Sequence, residues 1–172
     1  LQNELSAVDA ALIRDSVGIC SRSVSQDKSA ADLGITASEA LIKDLDWSAD
    51  SIDALVAVTQ TPDAQVPGNS FLIHRALGLR RDVLCLDMNL ACSGFIHALS
   101  VVYSMLTSMK GSRGVIVVGD QTSRVTTESD PKLKALFGDA IAAIAIEKAP
   151  SAKAFFHTGA DGSGYSYLCS RQ

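Results

Sequence analysis

The chain has 172 residues, 47% of them hydrophobic and 20% charged, with a formal net charge of -4. That length supports one domain with a sizeable core, and the lack of a basic cluster removes the electrostatic footprint of a nucleic-acid binder. No apolar run approaches the roughly 18 residues of a membrane span, and residues 1–15 lack the apolar centre of a secretory signal, so a cytoplasmic protein without a membrane partner is expected.

Along the chain, helix-like and strand-like patterns alternate, which predicts an α/β fold. Residues 29–45 predict a helix, with Leu33, Ala37, Leu41 and Leu45 on one face. Residues 52–60, IDALVAVTQ, predict a strand buried on both faces. TPDAQVPG follows as a loop, Asn69 is a candidate cap for the helix SFLIHRALG, and Gly78 is a candidate left-handed end. Residues 83–88 predict a second strand. Residues 92–109 predict the longest helix, apolar nearly all round and therefore buried. VIVVG predicts a third strand, DAIAAIAIE a fourth and AFFH, residues 154–157, a fifth. The stretch containing Asp120, Arg124 and residues 128–130 predicts a solvated loop, and Asp161-Gly162 a turn.

There are four cysteines, Cys20, Cys85, Cys92 and Cys169, and none has metal-ligand spacing. In LDMNLACSGFIHALS a strand ends near Asn89 and a helix begins near Cys92. A thiol there meets unpaired backbone N–H groups and the positive end of the helix dipole, which favour the thiolate. The place is also the carboxyl end of a sheet strand, where open α/β sheets bind ligands. Gly94 is expected to let a substrate approach the backbone. Cys85 fits a structural cysteine in an apolar strand. No histidine fits as a base: His97, five residues along, is rotated about 140° from Cys92, and His74 and His157 read as surface or rim residues.

ACSGF before an apolar helix, then VIVVGDQTSR, then LFGDAIAAIAI, resembles the beta-ketoacyl-acyl-carrier-protein synthase III family of thiolase-like condensing enzymes. The resemblance implies a mixed β-sheet flanked by helices, with a buried nucleophile helix. It implies that residues 1–172 are a single N-terminal thiolase-like domain whose C-terminal half is absent. It implies acyl transfer onto Cys92, then decarboxylative Claisen condensation with malonyl-carrier-protein in fatty acid biosynthesis. Phe137 is implied to line the acyl pocket, and the loop around Val66 to reach across a homodimer into the partner's primer pocket. No metal or resident cofactor is implied; acyl-coenzyme A or acyl-carrier protein enters as substrate. The family's catalytic His and Asn come from the second half, so the chain by itself is expected to lack full activity. Other thiolase-superfamily synthases, of secondary-metabolite or 3-hydroxy-3-methylglutaryl-CoA type, and a non-catalytic partner subunit are the alternatives.

Three departures accompany the likeness. The family's first strand is expected in the middle of the sheet, and nothing before Leu12 reads as that strand. The residues that clasp coenzyme A align near Leu12 and Pro131. The stretch Asp15, Ser16, Val17, Gly18 departs from the family's, which makes an acyl-carrier protein an alternative donor, with Arg124, Lys132 and Lys134 as its docking candidates.

Overall fold

The computed structural model describes residues 6–126, 135–151 and 153–167. Residues 128–130, Pro131, Lys132, Lys134 and Cys169 lie outside them.

A helix that the sequence patterns do not announce comes first: α1, Ala7–Val17. The Ser6 hydroxyl accepts the Asp9 N–H at its start, and Gly18 ends it in the left-handed region at φ 80°. Helix α2, Ala30–Asp44, opens with a capping box in which Ser29 and Asp32 satisfy each other's backbone N–H groups. Its buried stripe is Ala30, Ala31, Gly34 and Ser38, rotated from the leucine stripe expected. The cause is Gly34: a Cβ there would stand 2.9 Å from a methyl of Val117, so the small face approaches the sheet and Leu45 is left exposed.

Strand β1, Ala54–Val58, is wholly buried. Helix α3, Asn69–Ala76, has Gly68 rather than Asn69 at its N-cap, while Gly78 does adopt the left-handed conformation at φ 62°. Strand β2, Leu84–Met88, leads through a single 3-10 turn, Ala91–Ser93, into helix α4, Gly94–Ser108. Strand β3 is Arg113–Gln121 and β4 is Asp139–Glu147. AFFH forms no strand, and Phe155 is exposed on an irregular segment. A 3-10 turn, Gly162–Tyr167, follows, with the Ser163 N–H donating to the Asp161 carboxylate.

The sheet order is β2-β1-β3-β4. Strands β1, β2 and β3 are parallel and β4 is antiparallel to β3. No central place is open, because β1 pairs directly with β3, Ala54 opposite Gly114 through Val58 opposite Val118. This corrects the expectation of a sheet missing its middle strand.

Helices α2 and α3 cover one face of the sheet over Leu55, Ala57, Val115 and Val117. Helix α4 covers the other over Ala54, Val56, Val58 and Ile116. The result is a three-layer α/β/α unit. Helix α4 buries only Gly94, Ala98, Val102 and Leu106, and Ile96 is 53% exposed. It is thus covered by the sheet on one side rather than buried all round. Residues Ala91–Ser108, at a mean hydropathy of 1.2, are long and apolar enough to cross a membrane by length and composition, contrary to expectation. In the fold that stretch supplies the apolar stripe that packs on β1 and β3.

Candidate active site

Three parallel strands end on the same edge of the sheet, so their following residues converge. Strand β1 delivers Thr59, Gln60 and Thr61; β2 delivers Asn89, Leu90 and Cys92; β3 delivers Asp120 and Gln121. Cys92 sits on the 3-10 turn between β2 and α4, and it is a free, exposed thiol. Ala91 before it adopts φ 48°, a left-handed conformation that an L-residue seldom takes. That kink turns the chain from strand to helix within three residues. Ser93 is the N-cap of α4 and makes no side-chain cap, so it spends none of the helix's first N–H groups. Its hydroxyl instead donates to the Leu90 carbonyl at 2.9 Å, which holds the turn closed.

Gly94 does not open a path for substrate. It is buried, and a Cβ there would lie 2.5 Å from Val58 Cγ1, so the missing side chain admits β1 and lets the helix start close to the sheet. His97 bonds through Nδ1 to the Ser93 carbonyl at 2.9 Å and is tied to its own helix. His74 Nε2 is likewise tied to the Arg80 carbonyl at 2.8 Å, and His157 is exposed on the irregular segment after β4. Burial, and after it the Asp87 carboxylate, pushes the Cys85 thiol up, so Cys85 has the character of a structural cysteine. Cys20 is exposed near the end of α1, its thiol directed at the Gly18 carbonyl.

Behind Cys92 the strand ends are tied by a network that sequence patterns do not reveal. The Asp120 carboxylate accepts the Thr59 hydroxyl at 2.8 Å and the Gln60 N–H. The Thr61 hydroxyl accepts the Gln121 N–H at 2.8 Å, and the Thr61 N–H donates to Thr59 Oγ1 at 3.1 Å. Asp120 therefore belongs to the half-buried end of β3, not to a solvated loop. The only prior signal was a carboxylate directly after an apolar strand.

Val66 is 86% exposed at the tip of the loop after β1. Beneath that loop lies a cavity of about 290 Å3, lined by Gln60, Pro62, Ala64, Gln65, Met88 and Asn89 among others; neither Val66 nor Cys92 lines it. Phe137 is 47% exposed just before β4. Its segment is fixed by Asp139, whose N–H donates to the Ser23 carbonyl and whose carboxylate accepts from Ser25 N–H and from the Ser123 N–H and hydroxyl. Burial would raise the Asp139 carboxyl, but the Ser123 and Ser25 donors hold it below the usual carboxylate range. Leu12, Ser16 and Val17, near the positions expected to meet coenzyme A, line an apolar groove of about 280 Å3 together with Leu136. No group of three or more His, Cys, Asp or Glu among the described residues has the arrangement of a metal site.

The family model of 3-oxoacyl-[acyl-carrier-protein (ACP)] synthase III matches residues 86–162, a stretch that holds Cys92, α4, β3, Phe137 and β4. Over that stretch the chain is similar to this family. Among its relatives, beta-ketoacyl-[acyl-carrier-protein] synthase III 2 of Deinococcus radiodurans is 32% identical over 149 residues, covering 86% of this chain and 44% of that protein. The beta-ketoacyl-[acyl-carrier-protein] synthase III of Fusobacterium nucleatum is 34% identical over 154 residues, covering 87% and 46%. A 3-oxoacyl-(acyl-carrier protein) synthase structure from Burkholderia xenovorans superposes with a TM-score of 0.84 at 32% identity, covering 94% of this chain and 47% of that one. The fold is that of the family's thiolase-like structures, and the chain spans less than half the length of these relatives.

Proposed function

We propose that this chain carries the acyl-accepting part of a beta-ketoacyl-acyl-carrier-protein synthase III, acting in the cytoplasm in fatty acid biosynthesis. The observation that carries the reading is the exposed Cys92 on a kinked turn between β2 and α4, inside the matched segment. In the first half-reaction the Cys92 thiolate attacks the thioester carbonyl of an acyl-coenzyme A or acyl-carrier protein. The tetrahedral adduct collapses, the carbon–sulfur bond to the carrier breaks, and the departing thiolate takes a proton. Backbone N–H groups, that of Cys92 among them, hold the oxyanion. In the second half-reaction a malonyl-carrier-protein loses carbon dioxide, and the resulting carbanion attacks the Cys92 thioester. A 3-oxoacyl-carrier protein leaves and the thiol is restored. The groups that promote decarboxylation are assigned to the part of the family that this chain does not span.

In this reading the whole chain is one N-terminal unit, Phe137 lines the acyl pocket, Val66 limits it across a homodimer, and no resident cofactor takes part. The test is intact-mass spectrometry after incubation with acetyl- and longer acyl-coenzyme A, or with acyl-carrier protein. An adduct of the acyl mass that is lost in Cys92→Ala is the expected result. An adduct that persists in Cys92→Ala would place the acceptor elsewhere.

A further inference from the structure

The loop 61–68 ends in an apolar tip yet is anchored at both ends by carboxylates that the chemistry of Cys92 does not use. A branched side chain left 86% exposed at Val66 has no local reason to be held rigidly, and holding a loop costs conformational entropy. At one end, the α2 capping box already occupies the N–H groups of Ser29 and Asp32. The N–H groups of Ala30 and Ala31 remain, and the Asp63 carboxylate takes both, at 3.0 and 3.2 Å. Its negative charge also sits at the positive end of a fifteen-residue helix. The Asp63 N–H donates to Asn69 Oδ1 at 3.1 Å, and Asn69 is buried at the start of α3. At the other end, Gly68 packs on the Asp87 carboxylate with no space for a side chain, and Asp87 accepts the Ser70 N–H and hydroxyl. Residues 64–67 are thus suspended between two fixed points. Of these, Ala64 and Gln65 line one side of the cavity whose other side carries Met88 and Asn89, shortly upstream of Cys92.

We propose that Asp63 is a positioning residue that fixes the reach of the Val66 loop and through it, across the homodimer proposed above, the length of acyl chain that is accepted. The inference rests on the acyl-acceptor reading above. Asp63 touches no substrate; it acts by tying the loop to α2.

The test compares initial rates of Cys92 adduct formation from acetyl-, hexanoyl- and octanoyl-coenzyme A in the full protein. Asp63→Ala and Val66→Ala are each expected to raise the octanoyl-to-acetyl rate ratio by about five-fold or more, and the double variant to shift it no further than the larger single change. Asp63→Asn keeps one accepting oxygen and is expected to fall between; it carries the comparison should Asp63→Ala not fold. Amide exchange over residues 62–68 is expected to rise in step. Faster exchange with an unchanged rate ratio would overturn the proposal, because the anchor would then hold the loop without setting selection. Additive shifts in the double variant would overturn it too, because Asp63 and Val66 would then act apart. A protein that forms no Cys92 adduct from any donor would overturn the acyl-acceptor reading itself, and this inference with it.

Discussion

Asp53 shows how one carboxylate closes a distant junction. It precedes β1 and accepts the Ser112 N–H at 2.7 Å, the Arg113 N–H at 3.2 Å and the Arg80 guanidinium at 3.0 Å. Arg113 in turn lies 4.7 Å above the Trp47 ring. Burial alone would raise the Asp53 carboxyl; the Ser112 and Arg113 N–H groups and Arg80 outweigh it and hold it below its usual range. A carboxyl lowered in the folded state contributes stability that is present at neutral pH and lost as the pH falls through the carboxylate range. Asp53→Asn should therefore cost about 2 kcal/mol at pH 7, and the deficit should shrink towards pH 3. Urea melts of both proteins at the two pH values check this, and an equal deficit at both would show that the charge is irrelevant. Individual residues were unevenly legible. Cys92 stood out because a strand-to-helix junction gives a thiol a chemical reason to be there. Asp53, Asp63 and Asp87 did not, since their partners lie many residues away and nothing local separates them from surface aspartates; Asp120 offered only its place after an apolar strand.

At the scale of the element, length and type were readable because buried parallel strands are short and β-branched and helices carry a longer period. The stripe that a helix buries was less readable. On α2 the leucines suggested one face, yet the sheet took the face carrying Gly34, because close approach there outweighs the apolar area lost. On α4 the apolar surround suggested full burial, and the sheet covers one side only. Gly94 makes the point testable. Replacing a helical glycine by alanine ordinarily gains up to about 1 kcal/mol of helix propensity. Here the added methyl would overlap Val58, a buried β1 residue, and overpacking costs about 1–3 kcal/mol. Gly94→Ala should be destabilised by about 1 kcal/mol net by chemical denaturation. A more stable variant would mean that α4 has slack at its start.

At the scale of the whole molecule, β2 forms one border of the sheet and, among the described residues, pairs only with β1. Its outer N–H and C=O groups invite a further strand, and in the homodimer proposed above a second copy of β2 is the strand expected to fill that place. Leu86 and Met88 pack on the α4 side of that border. Leu86→Lys or Met88→Lys should shift the protein towards monomer or aggregate by size exclusion with light scattering, and an unchanged dimer would rule out this border as the contact. The layer order was foreseeable from alternating elements; the direct neighbourhood of β1 and β3 was not, because sequence order says little about which strands lie side by side. That neighbourhood has a consequence for how the protein is made. Ala54 on β1 waits for Gly114 on β3, which leaves the ribosome sixty residues later. At about 5–20 residues per second one border of the most apolar strand stays open for roughly 3–12 s, a window in which a nascent-chain chaperone has its clearest target.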